Sequence, residues 1–326
     1  MRVGVTDDVR GSDGRPVYDL SLLDEAPGVE WEWTRGTGVL EPSDLAPYEA
    51  IVLFHSEVRA SSLRGVERLR LVARLGVGID NIDVAACTAA GAVVTTTPDS
   101  VRRPMATGAM ALVLGLAHRI TELDRHVRSG GWDRFAHCGM GLDGRLLGIV
   151  GLGNVGRELA QLAAPFGLHI LAMDPFPTSV PDGVELCALD ALLRRADIVV
   201  VTCPLTDETY HLFDAERLAL MRPTAYLVNV ARGPIVDGAA LAAALAAGQL
   251  AGAALDVFEP EPIARDDPLL TLENVILAPH AIGLTDELFR RGGQSAARAV
   301  LDVLDGRMPA FPLNPQAAPN LNAPLP

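Results

Sequence analysis

Arg232, Glu261 and His280 stand in three short segments, NVARGPIVD (229–237), LDVFEPEP (255–262) and NVILAPHAIG (274–283). A guanidinium is permanently charged and can bind a carboxylate through two parallel hydrogen bonds. An imidazole exchanges a proton near neutral pH. A carboxylate paired with it fixes its orientation and raises its pKa. The three types together suit a substrate with a carboxylate and a carbonyl that gains or loses a proton, as in a 2-oxo acid. Singly, each reads more readily as a solvated or turn residue. Their joint placement at successive strand ends, beyond a nucleotide loop, carries the reading.

That loop is Gly151-x-Gly153-x-x-Gly156, in GIVGLGNVG (148–156), with RELAQLAAPFG directly after it. The spacing predicts strand, tight turn and helix. Gly151 permits the turn, Gly153 lets the backbone approach a pyrophosphate, and Gly156 allows close helix–strand packing. The amides of Asn154 and Val155 at the helix start would face the pyrophosphate. Asp174 lies 18 residues after Gly156 and closes the next apolar run. It can accept hydrogen bonds from the adenosine ribose. Its charge opposes a 2′-phosphate, and Phe176 in place of an arginine does not offset this, so NAD is expected over NADP.

The elements that must position these residues are short apolar runs at 2–6, 50–54, 70–74, 92–95, 146–150, 168–172, 197–202, 225–230, 251–255 and 274–278. Such runs suit parallel strands covered on both faces. They alternate with helical stretches, which implies α/β architecture. In such sheets ligands bind at the carboxyl ends of strands, where Arg232, Glu261 and His280 fall. Two long helical stretches, 104–128 and 284–305, flank the strand-rich block 99–283 and are expected to cross between domains. The first should begin with Pro104 and stop before Gly130. The second has Thr285 as cap and Gly292-Gly293 weakening its middle. Trp31 and Trp33 alternate with Glu30 and Glu32, as in one strand packing one face. The proline-rich segment after Met308 is expected to be extended or mobile.

Composition removes whole function classes. The chain has 27 arginines and no lysine. Schiff-base chemistry on lysine is therefore excluded, and so is a Walker-type phosphate loop. A net charge of −14 argues against nucleic acid as a partner. Hydrophobic residues at 49% can fill two cores, which rules out a disordered chain. Cys87, Cys138, Cys187 and Cys203 have neither CxxC nor zinc-site spacing, so no metal is expected and a reduced cytoplasmic protein is the simplest reading. MRVGVTDDVR lacks the apolar core of a signal peptide, and no apolar stretch is long enough for a membrane span.

With these residues in place, the sequence resembles the D-isomer-specific 2-hydroxyacid dehydrogenases. The matching stretches are LVARLGVGIDNIDVAACTAAGAVVTTTP (71–98), LLGIVGLGNVGRELAQLAAPFGLHILAMDPF (146–176), CPLTDETYHLFD (203–214), NVARGPIVD, LDVFEPEP and LAPH (277–280). The resemblance implies two Rossmann-like, doubly wound parallel-sheet domains. A NAD domain (99–283) would be inserted into a discontinuous substrate domain (1–98 with 284–326). It implies Arg232 as the substrate-binding arginine, Glu261 as the partner of the histidine and His280 as acid/base. Asp256 would contact the nicotinamide carboxamide, and Val230 and Ala231 would line the cofactor. Val77 and Gly78 would hold the substrate carboxylate through backbone N–H groups. Cys203 and Pro204 would stand beside the adenine, Cys203 as a wall and not a nucleophile. A homodimer is implied, with the helix after Pro104 in its interface.

The implied reaction interconverts a 2-oxo acid and its D-2-hydroxy acid with NAD(H). A phosphite dehydrogenase on the same fold and a NAD-sensing corepressor-like scaffold are the alternatives. The chain departs from many relatives at MATG (105–108), where Thr107 and Gly108 replace larger polar groups, and at AIGLTDE (281–287). These departures bear on substrate choice. His55 or Arg59, in HSEVR, could meet a second anionic group. The favoured reading is that Ser56 caps a helix and Arg59 is solvated. Arg102-Arg103 read the same two ways.

Overall fold

The computed structural model describes residues 1–135 and 137–317. The chain divides into two compact units, 1–101 with the residues from Leu284 onward, and Arg102–Gly283.

In the first unit β1 (Arg2–Thr6), β2 (Glu30–Thr34), β3 (Ala50–Leu53), β4 (Leu71–Arg74) and β5 (Val93–Thr95) form a parallel sheet in the order β2-β1-β3-β4-β5. Every residue of β3 is fully buried, as a parallel strand covered on both faces requires. On edge strand β2, Trp31 and Trp33 meet edge to face with ring centroids 5.3 Å apart. Helix Asp286–Leu304, capped by Thr285 Oγ1, lies within this unit and does not cross out of it. It runs unbroken through Gly292-Gly293. A Cβ on Gly293 would strike the backbone of Asp19, so the glycine permits close approach there. The segment after Met308 is extended where it bridges β5 at Thr95–Pro312, and it is fastened there. Leu313 N–H donates to Val94 O (2.9 Å), and the buried Asn314 side chain bonds Val94 N (2.7 Å) and Ala92 O (2.9 Å). Its last prolines lie outside the described residues.

The second unit holds β6 (Leu146–Val150), β7 (His169–Met173), β8 (Val184–Leu186), β9 (Ile198–Val201), β10 (Tyr226–Asn229), β11 (Gly252–Leu255) and β12 (Val275–Leu277). They pair in parallel in the order β12-β11-β10-β9-β6-β7-β8. Successive residues feed opposite layers. Val199, Val201, Leu227 and Ala253 join one core with Leu192 and Leu241, while Ile198, Val200, Val228 and Ala254 join the other with Val113 and Leu159. Each valine, leucine or isoleucine side chain so removed from water contributes roughly 1.5–3 kcal/mol.

The single helix expected over 104–128 is two, Pro98–Ala117 and Ile120–Arg128. Proline takes the first position as expected, but it is Pro98, and Pro104 sits inside the helix. The break falls at Arg119, whose φ of 53° is left-handed. Its guanidinium grips Glu122 through two bonds of 2.6 Å, which fixes the turn into the second helix. Among the described residues no helix is long and apolar enough to cross a membrane.

Candidate active site

The order of the seven-stranded sheet reverses between β6 and β9, which opens a crevice at their carboxyl ends. Gly151 turns there with φ 99°, and a Cβ on it would lie 2.6 Å from Cys203 Cα. Thr202 Oγ1 closes the contact by donating to Gly151 O (2.6 Å). A Cβ on Gly156 would strike Gly151 O. Gly153, by contrast, has open space in front of it and begins helix Asn154–Ala163 with no side chain capping the first N–H groups. The loop therefore combines a tight base with an open anion-facing end, as a pyrophosphate needs. Arg157 braces it from behind, donating to Leu152 O (2.9 Å), Asn154 Oδ1 (2.7 Å) and Thr178 Oγ1 (2.9 Å). Asp174 is held in place by N–H groups of Leu152 (2.7 Å) and Phe176 (2.8 Å), one on each oxygen. Each oxygen keeps acceptor capacity for a ribose hydroxyl. Cys203 is buried, and burial pushes its thiol up to about 11, which suits a wall and not a nucleophile.

The ladder continues past the strand ends and brings the candidate side chains to one edge. Asp256 N–H donates to Asn229 O (3.0 Å), Ala278 N–H to Leu255 O (2.9 Å) and His280 N–H to Asp256 O (2.7 Å). Asn229, almost fully buried, shapes the Arg232 loop: its Oδ1 accepts from Ala231 N–H (3.0 Å) and its Nδ2 donates to Arg232 O (2.9 Å). A Cβ on Gly233 would strike Phe258 O, so this loop packs directly on the chain that leads to Glu261.

His280 has φ 54°, a conformation uncommon for a residue with a Cβ. Asp256, 1% exposed, clamps the turn by accepting at Oδ1 from the N–H groups of Ala281 (2.8 Å) and Ile282 (3.0 Å). Burial pushes the Asp256 carboxyl above the usual range, and these two bonds only partly offset it. Glu261 Oε2 lies 2.8 Å from His280 Nδ1, and its Oε1 accepts from Phe258 N–H (3.0 Å). Burial works against the Glu261 charge. The bonds from His280 and Phe258 and the positive charge of Arg232 outweigh it and hold the carboxyl below the usual range. An ionised carboxylate only accepts, so Nδ1 carries hydrogen and Nε2 is the nitrogen left to exchange a proton.

Residues 110–281 match the family described as D-isomer specific 2-hydroxyacid dehydrogenase, NAD binding domain. The chain is 42% identical over 266 residues to a glyoxylate reductase of Korarchaeum cryptofilum, a match spanning 79% of this chain and 80% of that protein. The chain belongs to the D-isomer specific 2-hydroxyacid dehydrogenase family. Among solved structures it resembles TT0316 of Thermus thermophilus (TM-score 0.85, 33% identity, 96% of this chain and 100% of that one). It also resembles the Aquifex aeolicus D-lactate dehydrogenase complexed with NAD and lactic acid (TM-score 0.82, 26% identity, 96% and 99%). This dehydrogenase is a NAD-dependent oxidoreductase that interconverts small 2-oxo and 2-hydroxy acids at a CH–OH carbon, on two parallel-sheet α/β domains. The scaffold and phosphite alternatives are not favoured. No group of three or more metal-ligating side chains occurs among the described residues.

Of the residues singled out in the sequence, Arg232, Asp256, Glu261 and His280 gather on the carboxyl edge of β10–β12 in the second unit. Gly151, Gly153, Asn154, Val155, Gly156, Asp174, Cys203 and Pro204 surround the crevice at β6 and β9, and Val230 and Ala231 follow β10. Val77 and Gly78 stand in the first unit, in the turn after β4. Ser56 caps no helix: it is fully buried, and its N–H donates to Asp8 Oδ2 (3.2 Å). Arg59, not freely solvated, bonds Glu57 Oε2 (2.6 Å) and Asp80 O (3.2 Å). Arg102 and Arg103 both pair with Glu158. Gly108 permits a close pass, since a Cβ there would lie 2.7 Å from Ile282 O in the segment after His280. Asn229, Arg157 and the clamping role of Asp256 were not legible in the sequence.

Proposed function

We propose that this dehydrogenase reduces a small monocarboxylic 2-oxo acid of the glyoxylate or hydroxypyruvate type, with His280 as proton donor. The observation that carries the reading is the His280–Glu261 pair at 2.8 Å, on a turn locked by Asp256, at the sheet edge that also bears Arg232. The glyoxylate reductase relatives agree with it. The engagement of Arg59 with Glu57 and Asp80 favours a substrate without a second anionic group.

The Gly151–Gly156 loop and Asp174 would hold NADH, which when bound would supply the hydride for the carbonyl carbon. Arg232 binds the substrate carboxylate. Val230, Ala231, Cys203 and Pro204 would line the cofactor, and Asp256, besides clamping the histidine turn, would stand on its carboxamide side. His280 releases its Nε2 proton to the carbonyl oxygen as charge develops there. Glu261 keeps the imidazole oriented and compensates its positive charge. In the reverse direction neutral Nε2 takes the hydroxyl proton.

NADH oxidation across glyoxylate, hydroxypyruvate, pyruvate, branched, dicarboxylic and phosphorylated 2-oxo acids tests this reading, with His280→Ala as control. Fastest turnover of a small monocarboxylate, lost in the control, is expected. Preference for a phosphorylated or dicarboxylic acid would refute the substrate class. Near-normal turnover in His280→Ala would refute the acid/base assignment.

The protein is further read as a cytoplasmic homodimer. Its four cysteines are unpaired. Helix Ile120–Arg128 buries none of its residues and exposes Ile120, Leu123 and Val127 on one face, and Trp132 and Phe135 stand out beyond it. Such a patch marks an association surface. Light scattering of Leu123→Asp should give a monomer; an unchanged mass would move the interface elsewhere.

A further inference from the structure

A second histidine–glutamate pair lies two residues from the first along the same loop. His211 Nε2 is 2.9 Å from Glu259 Oε2, and the Tyr210 hydroxyl reaches Glu259 Oε1 at 3.4 Å. The Tyr210 ring stacks on His211 with centroids 4.1 Å apart and planes 13° from parallel. The pair falls within CPLTDETYHLFD and FEPEP, and neither the cofactor site nor the proton transfer uses it.

The main chain around His211 gives the pair a use. His211 adopts φ 47°, and its N–H donates to Pro234 O (2.8 Å), two residues after Arg232. The contact continues as Phe213 N–H donates to Ile235 O (3.0 Å) and Asp237 N–H to Phe213 O (3.1 Å). The ring of the same histidine holds Glu259, two residues before Glu261. The circuit closes where Gly233 packs on Phe258 O. His211 thus bonds both to the loop bearing Arg232, through its backbone, and to the loop bearing Glu261, through its side chain.

We infer that His211, with Glu259, is a positioning residue that registers Glu261 against His280 and so sets the aim of the acid/base. It touches no reacting atom. Its ring nitrogen is spent on Glu259, and its effect passes through the backbone of 258–261, where Phe258 N–H already holds the other Glu261 oxygen (3.0 Å). Loss of the ring leaves Glu259 only the longer bond from Tyr210 (3.4 Å), loosens that loop and lets the Glu261–His280 pair wander. Misplacement by about 1 Å can cost on the order of a hundredfold in rate. The effect here should be smaller, because the Phe258 bond and the Gly233 contact remain.

The inference rests on the catalytic reading of His280 and Glu261. The test uses the full chain with NADH and glyoxylate or hydroxypyruvate, whichever turns over faster. His211→Ala is expected to lower kcat roughly tenfold, with KM for the 2-oxo acid and the fluorescence-titrated Kd of NADH within about twofold. His211→Gln, which can still donate to Glu259, should recover most of the rate. In a Glu261→Gln background His211→Ala should add no further loss beyond about twofold, because the two act through one route. Unchanged kcat in His211→Ala, while His280→Ala is inactive, would overturn the inference and leave the catalytic reading standing. A full additional loss in the Glu261→Gln background would overturn it too, by showing a route that bypasses Glu261. Near-normal turnover in His280→Ala would overturn both. Retained NADH affinity separates each outcome from a failure to fold. Should His211→Ala not bind NADH, Glu259→Gln replaces it, with the same expected kcat loss and the same overturning results.

Discussion

The two histidine–glutamate pairs are built from the same parts and differ in which nitrogen is committed. His280 turns Nδ1 to Glu261, while His211 turns Nε2 to Glu259. Their exposures are close, 40% and 34% for the histidine side chains and 37% for both glutamates. Both backbones are left-handed. Burial and pairing therefore cannot tell the two apart. The difference lies at the tip of the ring: with Nδ1 spent, His280 keeps its outermost nitrogen for the proposed proton transfer. With Nε2 spent and a tyrosine stacked on its face, His211 has only the nitrogen next to its own main chain. In this chain the distal nitrogen is left over at His280 and committed at His211.

The comparison is broken most directly by removing each ring in turn. His280→Ala should lower kcat by about 10²- to 10⁴-fold, the usual worth of general acid–base catalysis. The NADH affinity should stay near wild type, since the Gly151–Gly156 loop and Asp174 make no bond to His280. Steady-state rates with glyoxylate or hydroxypyruvate measure it. If the loss equals the roughly tenfold loss expected for His211→Ala, the two pairs do not differ in kind.

A smaller effect should come from the clamp that only the His280 pair possesses. Asp256→Ala leaves the half-buried N–H groups of Ala281 and Ile282 without their acceptor, at a cost below the roughly 1–3 kcal/mol of a fully buried unpaired donor for each. The turn that aims His280 then loosens, and kcat should fall about ten- to a hundredfold. Asp256→Asn keeps an oxygen acceptor and should retain most stability. The sign of its pH dependence is fixed by the raised carboxyl. In wild type the native state binds the proton more tightly than the unfolded chain, so stability falls as pH rises through the ordinary aspartate range. Asp256→Asn lacks that loss and should gain on wild type over the same interval, as thermal melts against pH would reveal.

Much of this arrangement is legible in the sequence, for definite reasons. Parallel strands such as β3 and β9 are covered on both faces, so AIVL and IVVV stand out as unbroken apolar runs. The glycines at 151 and 156 are forced by contacts within a few residues of a strand end, which makes their spacing readable. Strand β8 was not readable, because Val184–Leu186 is an edge strand of three residues without an apolar run. The helix break at Arg119 was hidden too, since neither His118 nor Arg119 is a residue that ordinarily ends a helix, and the turn is held by a guanidinium on Glu122. The clamp of Asp256 on residues 281–282 depends on the register of β11 against β12. The bond from His211 to Glu259 joins segments 48 residues apart. Interactions set by register and by loop packing carry no local signal.

The smallest expected effect concerns the charge of Glu261 and sharpens the contrast at the level of the pair itself. Its carboxyl is held below the usual range: burial opposes the charge, and the bonds from His280 and Phe258, with Arg232 nearby, more than compensate. A carboxyl whose folded value is depressed contributes stability that is present above the unfolded value. That stability is lost as pH falls through the folded value. Wild type should therefore melt higher than Glu261→Gln at neutral pH. The gap should stay constant down to the ordinary glutamate range, narrow below it, and close once the native carboxyl is protonated. Glu261 is more than one-third exposed, so solvent screens the pair and the gap should be modest. A gap that instead widens as pH falls would mean that Glu261 is destabilised by its surroundings. Its carboxylate would then not be what holds Nδ1 and leaves Nε2 for the substrate.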